Sequence, residues 1–216
     1  EADAEWLMLL HTYGLLKASY QPENEARQVR NLARHRGNIL KSAGKEVQHM
    51  QKAMEQMNIK LSNVLSDIVG KSGRAIIDAI LKGERRPEVL AQLADGRCKR
   101  SKEDIALSLE GTWDEDHLFE LKQAYDLYKY LQTQMTECDH KIEELLMSYA
   151  AVVDTDMSGL VKCNKTICKK NAADFDVEKY GYAIWGINPM TIPGMSAGSV
   201  LQLIGELGHN FVDKFD

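Results

Sequence analysis

From residue 26 onward the apolar positions of the chain alternate by three and four. Ala26, Val29 and Ala33 open the pattern weakly, and Leu40, Ala43, Val47, Met50, Met54, Met57, Leu61, Val64 and Ile68 continue it without a miss. This is the spacing of a coiled-coil seam. It predicts a helix from about Pro22 to Leu65, roughly 65 Å long at 1.5 Å per residue. A rod of that length cannot bury its stripe against itself. The matching stripe is Leu131, Met135, Cys138, Ile142, Leu145 and Tyr149, after a looser start at Leu118, Leu121, Tyr125 and Tyr128. It predicts a second long helix over 114–150. An antiparallel hairpin within one chain and a pairing between chains both satisfy the two stripes. Met50, Met54 and Met57 make the first seam adaptable in shape and weak in specifying register.

Around these rods the pattern is shorter. A helix is predicted over 3–16, ahead of the Lys17 to Pro22 break, with Pro22 suited to the first turn of the long helix. Residues 66–112 read as a compact helical insert. In it DIVGKSGRAIIDAILKG is a glycine turn feeding an apolar helix, Pro87 starts another, and Ser101 with Asp104 forms a capping box for a third that ends by Gly111. After Tyr149 the periodicity dissolves into a lysine-containing linker, and helical character returns near Phe175. The expected fold is all-α: a long-helix coiled-coil hairpin over 21–150 with its insert 66–112. Residues 1–20 precede it, a basic linker spans 151–173, and a helix-hairpin-helix-like segment begins at 174 and runs to 216.

Composition narrows the class. With 44% hydrophobic and 27% charged residues the chain is an ordinary globular protein. No apolar run approaches the ~20 residues of a membrane-spanning helix. The first residues carry no basic region followed by a cleavage site, so a cytoplasmic location is expected, with Cys98, Cys138, Cys163 and Cys168 reduced. CNKTIC brings Cys163 near Cys168, but no other ligand pair accompanies them for tetrahedral zinc.

The net charge of -5 argues against nucleic acid as a partner until its distribution is considered. Between Lys17 and Lys45 seven cations (Lys17, Arg27, Arg30, Arg34, Arg36, Lys41 and Lys45) face only Glu23 and Glu25, a local charge of +5. Arg27, Arg30, Arg34, Lys41 and Lys45 fall along one flank of the seam. Such a stripe follows a phosphate backbone, and it also describes a solvated helix face, which is what most charge runs are. Arg36 sits on the seam itself, as a register-setting polar residue or as a base or phosphate contact at a break in the coil. Lys162, Lys165, Lys169 and Lys170 make the linker basic. In TIPGMSAGSVLQLIGELG, Gly194 stands where a helix-hairpin-helix brings its backbone to a phosphate, and where an ordinary helix start has a tight turn. Asp3 and Glu5 precede Trp6 on the first helix. They suit the positive end of a helix dipole, and a carboxylate there is also a partial Mg²⁺ ligand set. His49 and His117 have no partner at a chemical spacing.

Several stretches together resemble the transposases of the insertion-sequence 110 family, DEDD recombinases guided by a bridge RNA. They are DAEWL at 3–7, ARHRGNILK at 33–41, VQHMQKAMEQMN at 47–58, GERRPEVLAQLADGRCK at 83–99, LEGTWDEDHLFELKQAYDLY at 109–128 and the Gly194 stretch. The resemblance implies an RNase H-like domain whose four acidic residues bind Mg²⁺, a coiled-coil domain, and a C-terminal domain with a catalytic serine. The last acidic pair of the family sits in a run of the type T-D-x-x-D-A-E-W, and Asp3 matches its second Asp. It is therefore expected as a metal ligand and catalytic residue, with the other acidic positions upstream and the serine downstream of this stretch. The resemblance further implies DNA and guide RNA as partners and a homodimer or higher oligomer assembled through coiled coils. It places Arg27, Arg30, Arg34, Arg36, Lys41, Lys45, Lys169, Lys170 and Gly194 among the expected nucleic-acid contacts. The central fragment would serve DNA transposition by dimerisation and backbone binding, without catalysing on its own. The competing expectation is a coiled-coil scaffold that binds protein.

Overall fold

The computed structural model describes residues 2–16, 19–163 and 171–211. Its described residues are helical, without a strand: α1 (Ala2–Thr12), α2 (Asn24–Gln56), α3 (Leu61–Val64), α4 (Lys71–Leu81), α5 (Pro87–Gln92), α6 (Lys102–Leu107), α7 (Glu115–Val153), α8 (Val177–Trp185) and α9 (Ala197–Leu207). The two stripes pair within the chain. Arg36 of α2 meets Asp139 of α7, while Met50, Met54 and Met57 share a core with Leu121 and Tyr125. One helix therefore advances as the other returns, and the pair is antiparallel. Among the described residues no helix is long and apolar enough to cross a membrane.

The chain divides into two compact units, residues 34–140 and residues 1–33 with 141–216. In the first, α2 contributes Ile39, Ala43, Met50, Ala53, Met54 and Met57, and α7 contributes Leu121, Ala124, Tyr125, Met135 and Cys138, all buried. The stripe in α2 is interrupted. It was expected to run on through Leu61 and Val64, but the helix stops at Gln56. Asn58 adopts a left-handed φ of 59°, a conformation asparagine tolerates better than most residues and uses to close helices. Ile59 N–H turns back to the Met54 carbonyl at 2.8 Å, and Thr112 N–H donates to the Met57 carbonyl at 3.0 Å. Leu61, Leu65 and Ile68 remain buried, packed with Ile76, Ile77, Ile80, Leu90, Ile105 and Leu109 of the insert.

The insert follows its local signals. Pro87 occupies the start of α5. The Ser101 hydroxyl accepts from Asp104 N–H at 3.0 Å, and the Asp104 carboxylate accepts from Ser101 N–H at 3.4 Å, completing the capping box. Gly73 lets α4 approach the preceding segment. A Cβ there would lie 1.9 Å from the Ile68 carbonyl oxygen, closer than atoms can stand.

In the second unit, Ala26 and Val29 of α2, Ile142, Leu146 and Tyr149 of α7, and Val177, Tyr180, Ile184, Val200, Leu201 and Ile204 of α8 and α9 are buried. The buried position is Leu146 rather than the predicted Leu145, which is half-buried. α9 lies directly on α2, since a Cβ at Gly205 would stand 2.7 Å from the Arg30 Cα. α1 carries Trp6, Leu7 and Met8 with more than half of each exposed, at 61%, 54% and 62%.

Candidate nucleic-acid interface

The basic residues expected to form one stripe separate into two kinds. Arg34, Lys41 and Lys45 are exposed on the portion of α2 in the 34–140 unit. At 100° per residue, Arg34, Lys41, Lys45 and the equally exposed Lys52 lie within about 20° of one line. That line faces away from the buried positions. It does not flank the seam. Among the described residues no carboxylate pairs with Lys41, Lys45 or Lys52. Lys52 extends the line nearly two turns beyond Lys45, at the same helical spacing.

The others are occupied inside the protein. Arg36 is buried (9% exposed) and holds Asp139 (4% exposed) along two edges, Nη2 donating to Oδ2 at 3.0 Å and Nε to Oδ1. Of the two roles open to it in the sequence, the structure shows the polar pair inside the seam, so it is not an exposed cation for a phosphate. Burial, with Asp139 alongside, also raises the pKa of the neighbouring Cys138 thiol. In the other unit Arg30 donates to Glu206 of α9 at 3.2 Å with about a quarter of its side chain exposed. Arg27 is exposed.

Gly194 is exposed and has a φ of 82°, a left-handed turn glycine enters without strain. α8 and α9 pack on each other on either side of this turn. The Ser196 hydroxyl accepts from Ser199 N–H at 3.1 Å, so one of the amides opening α9 already has an acceptor. Lys169 and Lys170 lie outside the described residues, as do Lys165 and Cys168. Lys162 is exposed and pairs with Asp176 at 3.2 Å. Asp3 is exposed in the first turn of α1. Among the described residues no group of three or more His, Cys, Asp or Glu could hold a metal ion. Mg²⁺ needs several oxygen donors, and Asp3 by itself supplies one carboxylate, so no step of a metal-dependent reaction is assigned to it.

One polar cluster had no signal in the sequence. Where α2 begins, Glu23 Oε1 accepts from Tyr149 Oη, from His209 N–H at 2.7 Å, and lies 2.8 Å from His209 Nδ1. Burial alone would raise the Glu23 pKa; the hydrogen bonds from Tyr149 and His209 outweigh it and hold the carboxyl below its ordinary value. Burial and the Glu23 charge push the Tyr149 phenol far up. The cluster ties the chain after α9 to an end of each long helix. Its geometry is that of a structural clasp, with every group facing another.

Compared with models of known protein families, with characterised proteins and with solved structures, the chain gives no match.

Proposed function

We propose that the chain acts in DNA transposition as a non-catalytic helical segment that holds nucleic-acid backbone, in a transposase of the insertion-sequence 110 type. The observation that supports this most is the outward line Arg34, Lys41, Lys45 and Lys52. Four cations spaced along about 27 Å of one helix face, three of them without a carboxylate partner among the described residues, match a row of phosphates and no compact ligand. Binding of this kind releases counterions and reads no sequence, which suits a segment that positions DNA or guide RNA while other residues do the chemistry. Dimerisation, the other role expected of the coiled coil, would have to use a surface other than the core that Met50, Met54 and Met57 share with Leu121 and Tyr125.

The test is a filter-binding titration of the chain with duplex DNA and structured RNA at low and raised salt. The expected result is binding that falls steeply with salt and weakens about tenfold or more in R34E/K41E. A chain that binds neither nucleic acid at low salt is the protein-binding scaffold instead, and Arg30 and Arg36 then represent the general use of its cations, as internal ion pairs.

A further inference from the structure

A second cationic feature lies in the insert, where the sequence showed the glycine turn of DIVGKSGRA. The chain between α3 and α4 and the turn 95–100 enclose an open groove of about 650 Å³. Its lining includes Asp67, Lys71, Asp95, Arg97, Lys99 and Arg100. The charges are unequal. Asp95 takes both Lys71, at 3.1 Å, and Arg97, at 3.1 Å, so one carboxylate is shared between two cations. Asp67 turns its carboxylate to its own chain, accepting from Val69 N–H at 3.2 Å. Lys99 and Arg100 are exposed, and among the described residues neither has a carboxylate partner. The concave wall thus carries an excess of positive charge, and the planar fork of the Arg100 guanidinium suits phosphate oxygens. The amides opening α4 face no capping side chain, Gly70 being the residue before the helix.

We infer that this groove is a binding site for backbone phosphates of a nucleic acid, separate from the α2 line. The inference rests on the nucleic-acid reading above and gives it a second contact, made by Lys99 and Arg100. A concave site admits a strand or a duplex edge, where a flat row of lysines only attracts it. Cys98 reports on occupancy. It is half-buried in the groove wall, with its thiol 3.5 Å from the Ser72 hydroxyl.

The experiment uses the full chain and fluorescein-labelled duplex RNA and duplex DNA, read by anisotropy at two salt concentrations. Maleimide labelling of Cys98 is followed by mass spectrometry with and without duplex. K99E/R100E is expected to lose about tenfold in affinity and to show a shallower salt dependence. K99R/R100K keeps the affinity of the unmodified chain, and duplex slows Cys98 labelling at least severalfold. Should the charge reversal lower the melting temperature, K99Q/R100Q replaces it. An affinity within twofold of the unmodified chain in the folded variant overturns the inference and leaves the nucleic-acid reading standing. Cys98 labelling unaffected by bound duplex does the same. An unmodified chain that binds no duplex at low salt overturns both.

Discussion

Arg36 on α2 and Asp139 on α7 face each other inside the antiparallel seam, guanidinium against carboxylate, in surroundings that leave each less than a tenth exposed. Taking two charges out of water is costly, and the two-edged geometry returns much of that cost. The pair also marks a register, because sliding one helix by a turn would leave both charges buried and alone. Loss of one partner should therefore be far worse than loss of both. Arg36→Met or Asp139→Leu alone is expected to cost about 3–5 kcal/mol, whereas the two together return close to the original stability. Urea unfolding of the two single variants and the double variant checks this, and the interaction term from the cycle should be large.

The Glu23 clasp gives a signed dependence on pH. The folded carboxyl titrates below its ordinary value, so its contribution is complete above the unfolded pKa of about 4.5 and is lost as pH falls through the lower folded value. Stability should fall on acidification below that point. Tyr149→Phe removes a donor to the carboxylate and is expected to cost about 1.5–3 kcal/mol near neutral pH, and to flatten the acid limb. Thermal melts across pH 3–7 for the two proteins supply the comparison.

At the alkaline end the buried phenols act in the opposite sense. Burial, followed by nearby carboxylates, pushes Tyr125 and Tyr180 up to about 12, and Tyr149 further still. A raised folded pKa means stability intact below about 10 and lost as pH climbs toward 12. Absorbance at 295 nm should show these three of the chain's eight tyrosines ionising late, together with loss of helicity.

Two glycines of α9 should respond oppositely to alanine. At Gly205 the added methyl would meet the α2 backbone at Arg30 within 2.7 Å, so Gly205→Ala is expected to destabilise by about 1–3 kcal/mol. At Gly198, which is exposed, the nearest atom is the Ser196 Oγ at 3.8 Å. Gly198→Ala should stabilise by about 0.4–1 kcal/mol through the unfolded chain. Chemical denaturation of the two variants reads the sign directly.

What could be foreseen from the residues alone was what is local. The body of α2, nearly all of α7, the Pro87 start and the Ser101–Asp104 box follow from periodicity and capping rules that act within a few residues, while α2 begins at Asn24 and leaves Pro22 outside its first turn. The early end of α2 was not foreseeable, because the apolar spacing continues through Leu61 and Val64. What stops the helix there is Asn58 in a left-handed conformation and an amide donated by Thr112, far along the chain. The partner of Arg36 was hidden for the same reason, lying 103 positions further along the chain. Glu23 and His209 lie 186 residues apart, and no local pattern connects them. On the expected interface, helical spacing gave Arg34, Lys41 and Lys45 a common face. It could not show that Arg30 and Arg36 spend their charge within the protein.

Met50, Met54 and Met57 are each at most 1% exposed, and this gives the long hairpin a chemical memory. Peroxide can reach those thioethers only in molecules whose helices have parted, so sulfoxide should accumulate at the pace of opening. Each new sulfoxide places a polar oxygen where the opposing helix must repack against hydrocarbon. A hairpin that has opened and been oxidised would close poorly, and the damage would spread along the three positions until a reductase reversed it.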